Sequence, residues 1–184
     1  MYRALTLKAL RKKVDLQSED VLVELAQKTK IDLENEVDVV RVLLDGEDVS
    51  EEIRTVEVTN NTFYIARASK VREIMVSWQK EIGYRKSVVV EGRDVTTVVF
   101  PDAKFKFYLD ADVNERSQRR YKELKEKGKD VLVQSVSKDL KDRDHKDFSR
   151  ETGALKIAED AIVIDSTYLS IEEVVQEILK HVNN

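Results

Sequence analysis

The chain contains no cysteine, one proline and five glycines among its 184 residues. The lack of cysteine excludes a disulfide framework and any thiolate metal site. The only two histidines, His145 and His181, have no second histidine or cysteine at ligand spacing, so the sequence predicts no metal site. No glycine-rich phosphate-binding loop occurs anywhere in the sequence.

Long apolar runs are also missing. No stretch approaches the roughly 18 apolar residues that a membrane-spanning helix needs. Residues 1–8 lack the apolar segment and cleavage site of a signal peptide. We therefore expect a protein of the reducing cytoplasm that does not bind membranes.

Neither sign of charge dominates. The chain has 32 Lys and Arg against 36 Asp and Glu, which gives a net charge of -4. Such a global field does not favour binding to nucleic-acid polymers, so any anion site must be built locally. An apolar fraction of 41% is enough for a proper core, and we expect a single domain over residues 1–184.

Hydrophobic periodicity divides the chain into alternating helices and strands. The helices are predicted at residues 4–16, 18–28, 59–82, 114–127 and 133–150, with a final helix opened by a capping box of Ser170 and Glu173. Strands are predicted at residues 88–91, 104–109 and 161–164, and this alternation indicates an α/β fold with a mostly parallel sheet.

A second, smaller patch of strands precedes these. Residues 31–33 and 37–44 are β-like, and Asp45-Gly46 is a strong signal for a tight turn leading into residues 47–53. The pattern predicts a small antiparallel patch beside the main body.

Two polar residues end the apolar strand at residues 88–91. In open α/β sheets, ligands lie beyond the carboxyl ends of the strands. Arg93 and Asp94 therefore stand where a charged, hydrogen-bonding ligand would be held.

A second polar group lies on the predicted helix at residues 133–150. Arg143, Asp147 and Arg150 share one helical face. An i, i+4 salt bridge is one explanation of that spacing. The functional explanation is that guanidinium groups grip phosphate while Asp147 accepts a hydrogen bond from a ribose hydroxyl.

Three further arginines are candidates. Arg119 and Arg120 precede the break at Gly128 in a polar segment that could close over a ligand, or they form a solvated helix face. Arg72 could reach a base edge or could be solvent-exposed.

These patterns together resemble one family. The shared residues keep the same order and spacing along the whole chain: Tyr2-Arg3; residues 45–50 with 52–54; Val71-Arg72-Glu73; Gly92-Arg93-Asp94 with residues 97–103; Arg119-Arg120; Arg143, Asp144, Asp147 and Arg150; and Asp165-Ser166-Thr167 with residues 169–172. The chain resembles the bacterial cytidylate kinases.

The resemblance implies a P-loop nucleoside monophosphate kinase-like fold, a parallel sheet flanked by helices. It implies an enzyme that transfers the γ-phosphoryl group of ATP, with Mg²⁺, to CMP or dCMP. Residues 31–56 would be the β insertion of the monophosphate-binding region and residues 111–150 the lid. The family is monomeric, and its partners are small nucleotides.

The resemblance also implies roles for single residues. Arg72 and Asp94 would read the cytosine, and Arg143 and Asp147 would address the sugar. The implied phosphate ligands are Arg3, Arg93 and Arg150. The implied catalytic arginines are Arg119, Arg120 and Arg150, the first two belonging to the lid over ATP. The implied adenine region is Asp165, Ser166 and Thr167.

The sequence departs from the family at its start. Members begin with a strand, a Gly-rich loop ending in Gly-Lys, a helix and a second strand, and these 184 residues contain none of them. We expect an incomplete site for ATP and Mg²⁺, a gap beside residues 88–91 that could recruit a second chain, and little or no kinase activity of this chain alone. Thr96 replaces a usual glycine, and Phe63 replaces a serine near the cytosine.

Two other functions stay open. A non-catalytic pyrimidine-nucleotide binding or regulatory module would bind CMP without ATP, and calorimetry with each nucleotide separately would show this. A generic α/β interaction domain would keep its nucleotide affinity unchanged after Arg93→Ala or Arg143→Ala.

Overall fold

The computed structural model describes residues 1–35, 40–85, 87–149 and 151–183. It contains two compact units, Met1–Val89 and Val90–Asn184. A single domain over the whole chain therefore stays a prediction. No helix in the described ranges is both long and apolar enough to cross a membrane.

Four helices form most of the first unit: α1 (Tyr2–Arg11), α2 (Glu19–Gln27), α3 (Val56–Arg67) and α4 (Ser69–Tyr84). The helix predicted at residues 4–16 ends early, at Arg11, and Lys13 has a positive φ of 52°. Glu19 and Asp20 in the first turn of α2 favour its start, because they lie at the positive end of the helix dipole.

The single helix predicted at residues 59–82 is wrong. Ala68 has an extended backbone, with φ -70° and ψ 108°, and it separates α3 from α4. Ile65 before the bend and Val71 after it are both fully buried in the same core. The bend therefore turns the apolar faces of two helices inward, which polar and apolar spacing alone does not reveal.

The core of the first unit is formed by residues from all four helices and the sheet beside them. Its most deeply buried large side chains include Leu5, Leu22, Val49, Val58, Ile65, Val71 and Met75. Burial of each such aliphatic side chain contributes about 1.5–3 kcal/mol before conformational entropy is counted.

A three-stranded antiparallel sheet belongs to this unit, in the order β1 (Ile31–Asn35), β2 (Val40–Leu44) and β3 (Glu47–Asp48). The turn from β2 to β3 is Asp45-Gly46, with φ of 52° and 91°. Two positive φ values are what a two-residue hairpin turn requires. Part of the strand predicted at residues 37–44 lies outside the described residues, and the assignment of residues 31–56 as a family insertion stays a prediction.

Acid should weaken this sheet through Asp48. The Ser50 hydroxyl, the Ser50 N–H and the Arg41 guanidinium lower the pKa of Asp48 from 3.8 to about 2. A carboxyl with a lowered folded-state pKa stabilises the fold above its unfolded pKa, and that contribution is lost as the pH falls through the folded value. We expect wild type to exceed Asp48→Asn in stability above about pH 4, and this difference to vanish near pH 2.

Urea unfolding of both proteins from pH 6 to pH 2 measures that difference. Asp102→Asn is the matched control, because the Asp102 side chain is exposed in a turn of the second unit. A wild-type advantage over Asp48→Asn that does not change with pH contradicts the prediction.

The second unit contains a parallel pair of strands, β4 (Phe107–Asp110) and β5 (Ile162–Asp165), in the register Phe107↔Ile162 to Asp110↔Asp165. Its helices are α5 (Val113–Glu126), α6 (Val133–Ser149) and α7 (Ile171–Val182), and a short π-helical turn covers Val95–Val99. The parallel pairing and flanking helices confirm the predicted α/β class and are consistent with a nucleoside monophosphate kinase-like fold.

Local signals in the sequence explain the helix ends in this unit. The Ser170 hydroxyl accepts the Glu173 N–H, and the Glu173 carboxylate accepts the Ser170 N–H, which confirms the predicted capping box. The Asp112 carboxylate caps α5 by accepting the Asn114 and Glu115 N–H groups. Gly128, with φ of 71°, follows the end of α5.

The buried strand predicted at residues 88–91 is wrong. Val88, Val89 and Val90 are exposed by 39%, 104% and 39%, and no described strand pairs with them. An apolar run becomes a strand only when neighbouring backbone satisfies its N–H and C=O groups. The strand predicted at residues 104–109 begins later, at Phe107, where pairing with β5 begins.

Candidate functional site

The segment before the short π-helical turn contains two of the predicted site residues. Asp94 is 8% exposed, and its carbonyl accepts the N–H groups of Thr97, Val98 and Val99 at 3.3, 2.8 and 3.3 Å. A Cβ on Gly92 would lie 2.5 Å from Cγ2 of Val95. Any larger residue at this position, just before Arg93, would force the Val95 side chain or the backbone to move.

Arg93 reaches from this segment to α6. Its Nε donates to Oδ2 of Asp147 at 2.7 Å, and Nε of Arg143 lies 3.9 Å from the same oxygen. The Asp147 side chain is only 16% exposed, whereas Arg93 and Arg143 are 41% and 52% exposed. The structure thus brings together three of the predicted residues, and the fourth member of that group, Arg150, lies outside the described residues.

The charges in this cluster favour an anion. Arg93 and Arg143 carry two positive charges against the one negative charge of Asp147. Partial burial and the positive charge of Arg93 lower the pKa of Arg143. The guanidinium stays charged at neutral pH, since an arginine is not deprotonated in proteins. A bound phosphate would stabilise this cluster, because it would neutralise the one positive charge that Asp147 does not balance.

Arg3 and Arg72 belong to the first unit. Nη1 of Arg3 donates to the Ile53 carbonyl at 2.8 Å and to Oγ1 of Thr59 at 3.0 Å, so Arg3 joins α1 to the start of α3. Arg72 is 4% exposed, and its guanidinium carbon lies 5.8 Å from the centre of the Tyr2 ring. The alternative prediction, that Arg72 is exposed to solvent, is therefore wrong.

The neighbouring arginines of α5 have different partners. Nη2 of Arg119 donates to the carbonyls of Ser166 and Thr167 at 2.7 and 3.1 Å. Nη1 of Arg120 donates to Oε2 of Glu123 at 2.6 Å on the surface of the same helix. The two residues therefore point to different surroundings, and their role in a lid stays a prediction.

The loop after β5 is firmly held. The Thr167 hydroxyl and N–H lower the pKa of Asp165. Oγ1 of Thr167 also accepts the Asp112 N–H at 2.9 Å, and the Ser166 N–H donates to the Asp110 carbonyl at 2.7 Å. The predicted adenine region is thus fixed to the end of β4 and contacts Arg119 directly.

Sequence reasoning did not predict the ion pair between Arg116 and Asp144. Nη1 of Arg116 donates to Oδ2 of Asp144 at 2.8 Å, and its Nε donates to the Ala111 carbonyl at 3.0 Å. The pair joins α5 to α6 across 28 positions. No helical spacing rule connects residues that far apart, so no local signal could have found it.

Comparison with known proteins bears on this arrangement. The sequence model described as "Cytidylate kinase" matches residues 1–184. This chain belongs to the cytidylate kinase family. The family resemblance predicted from the sequence is therefore confirmed, and by family the chain is a phosphotransferase.

Individual relatives agree over nearly the whole chain. A cytidylate kinase of Caldanaerobacter subterraneus subsp. tengcongensis is 48% identical over 178 residues, which cover 97% of this chain and 78% of the relative. A cytidylate kinase of Clostridioides difficile is 42% identical over 183 residues, covering 100% of this chain and 83% of the relative. A cytidylate kinase of Desulforamulus reducens is 46% identical over 182 residues, which cover 97% of this chain and 80% of the relative.

Proposed function

We propose that this chain carries the acceptor site of a cytidylate kinase, an enzyme that transfers the γ-phosphoryl group of ATP to CMP or dCMP and releases CDP or dCDP. The observation that best supports this proposal is the cluster in which Arg93 and Arg143 both lie close to Asp147. The family assignment supports this proposal, and cytidylate kinase is the printed name of each relative compared above.

The chemistry of the reaction suits an arginine-rich site. The acceptor is an ionised phosphate, so no general base has to remove a proton from it. Phosphoryl transfer depends on positioning and on cancelling charge, and guanidinium groups do both. This accounts for a site built from arginine and aspartate.

Arg93 is suited to hold the phosphate of CMP. Within the described residues only its Nε is engaged, by Asp147, and the side chain is 41% exposed. Its two Nη groups are therefore available to grip an anion bidentately. Arg3 and Arg150 are the further phosphate ligands that we propose.

Recognition of the nucleoside falls to four residues. Asp94 is a buried acceptor suited to the cytosine amino group, and the family resemblance gives the buried Arg72 a role in reading the same base. Asp147 would accept a hydrogen bond from a ribose hydroxyl, with Arg143 beside it.

The donor side of the reaction is assigned to other residues. We propose that Arg119 and Arg120 act on the ATP phosphates from a lid at residues 111–150, and that Asp165, Ser166 and Thr167 border the adenine. Among the residues that the structure describes, no group of three or more His, Asp or Glu side chains is placed to hold a metal ion. Mg²⁺ usually enters such reactions with the nucleotide phosphates and needs only one or two protein carboxylates. We assign the protein to the cytoplasm as a monomer.

Selectivity among nucleoside monophosphates tests the proposal. By calorimetry we expect CMP and dCMP to bind at least about tenfold tighter than UMP or AMP, because the Asp94 carboxylate accepts from the cytosine amino group and repels the uracil carbonyl. Asp94→Asn should bring the affinities for CMP and UMP together, since an amide can also donate. Equal affinity for CMP and AMP in the wild-type chain contradicts the proposal.

A further inference from the structure

The Arg116 side chain connects three parts of the second unit. It belongs to the first turns of α5, its Nε donates to the Ala111 carbonyl just after β4, and its Nη1 donates to Asp144 on α6. Both side chains of the pair are about one third exposed, at 34% and 31%. Solvent therefore screens this contact less than it screens the surface ion pairs of α5.

Asp144 occupies a position on α6 that matters for the nucleotide cluster. It directly follows Arg143 and lies three residues before Asp147. Residues three apart on a helix lie on neighbouring parts of one face. Holding Asp144 therefore fixes the rotation of α6 about its axis, and with it the position of the Asp147 carboxylate.

Tyr108 on β4 lies within the same set of charges. Burial and the carboxylate of Asp110 raise its pKa, and the charges of Arg116, Asp144 and Arg93 also act on it. The ion pair and the nucleotide cluster are thus near enough to share one neighbour on the sheet.

We propose that Arg116 and Asp144 are positioning residues of the nucleotide site. Their ion pair sets α6 against the end of β4 so that Asp147 meets Arg93 at 2.7 Å and presents its carboxylate to the ribose. This inference rests on the proposed function, and it adds two residues that do not themselves touch the nucleotide.

The test compares CMP with 2′,3′-dideoxy-CMP, which has no ribose hydroxyl for Asp147 to bind. A hydrogen bond to a carboxylate contributes about 1.5–3 kcal/mol, so the wild-type chain should prefer CMP by roughly 10- to 100-fold. In Arg116→Met and in Asp144→Asn that preference should fall to about threefold or less, measured by calorimetry. A loss confined to stability would weaken both ligands equally and leave the ratio unchanged.

Lys125→Met is the matched control, because Lys125 forms an exposed ion pair with Asp130 at the other end of α5. It should keep the wild-type preference, and Arg116→Lys should restore part of it. If Arg116→Met unfolds, as judged by circular dichroism, Asp144→Asn decides by the same ratio.

Different results would contradict the positioning role and the proposed function. A wild-type preference retained in both variants overturns the positioning role alone. A wild-type chain that binds CMP and dideoxy-CMP equally overturns the proposed ribose contact of Asp147, and the positioning role with it. A wild-type chain that binds no CMP at all overturns the proposed function, and the positioning role with it.

Discussion

Mixed with ATP, Mg²⁺ and CMP, the 184-residue chain will form CDP at least about 10⁴-fold more slowly than the roughly 1–100 s⁻¹ typical of kinases. The reason is the distribution of its glycines. A phosphate-binding loop has two glycines five residues apart, followed by lysine and a hydroxyl residue. The two nearest glycines here, Gly83 and Gly92, are nine positions apart.

The one Gly-Lys pair, Gly128-Lys129, does not form a phosphate-binding loop. It is followed by Asp130, and Glu123 stands where the first glycine would be. Removing one oriented donor from an oxyanion hole costs about 10²–10³ in rate, and we expect a similar cost for each donor of a phosphate loop, which supplies several backbone donors and a lysine. Losing two such donors, at about 10²-fold in rate each, gives the expected reduction of about 10⁴-fold.

A coupled assay that follows CDP formation at saturating ATP measures this rate. The matching control is CMP binding by the same preparation, which shows that the chain is folded and that its acceptor site is present. Steady turnover at a rate typical of kinases would contradict the prediction, and it would mean that other residues hold the ATP phosphates.

Replacing Arg93 by alanine will weaken CMP binding by roughly 30- to 1,000-fold. The substitution removes the guanidinium proposed to hold the phosphate, and it leaves the largely buried Asp147 with only the more distant Arg143, at 3.9 Å. Truncating one partner of a fully desolvated charge pair costs about 2–5 kcal/mol, and the partial exposure of Arg93 places its loss in the lower part of this range, at about 2–4 kcal/mol. Arg93→Lys should recover little, because lysine cannot form the planar fork.

Calorimetric titration with CMP measures the effect. The control is Arg85→Ala, because Arg85 is 72% exposed, directly follows α4 and pairs with Glu81 in the last turn of that helix. It should leave the affinity unchanged. Equal affinities for the Arg93 and Arg85 variants would favour a generic α/β interaction domain instead.

Several local features could be predicted because their causes lie within a few residues. The Ser170 and Glu173 capping box and the hairpin turn at Asp45-Gly46 each depend on side chains close in sequence. The parallel pair β4 and β5 was predictable because both segments are short, apolar and separated by helices.

Other features depend on distant partners and could not be predicted. The apolar run at residues 88–91 has the composition of a strand, yet no described strand pairs with it. The bend at Ala68 follows from packing two helices on one core, which the sequence spacing does not encode.

In the candidate site, too, contacts between residues close in sequence could be predicted and contacts between distant residues could not. The i, i+4 spacing of Arg143 and Asp147 indicated that they share a helix face, but their 3.9 Å separation is looser than the contact of Asp147 with Arg93, 54 positions away. Arg93 was predicted from the family resemblance and from the rule that ligands lie beyond strand ends, although the strand predicted before it at residues 88–91 is wrong. The carbonyl partners of Arg119 and the Arg116 to Asp144 pair arise from helix packing, so no local spacing rule reveals them.

The most direct test of the account is an NMR titration of the chain with CMP, following the Nε–H signals of Arg93 and Arg143. We expect both signals to shift and to saturate at one CMP per chain, because the phosphate and the ribose enter the cluster that these groups form around Asp147. The same concentration of AMP should move them far less. If the signals of Arg93 and Arg143 do not move at saturating CMP, this cluster is not the CMP site.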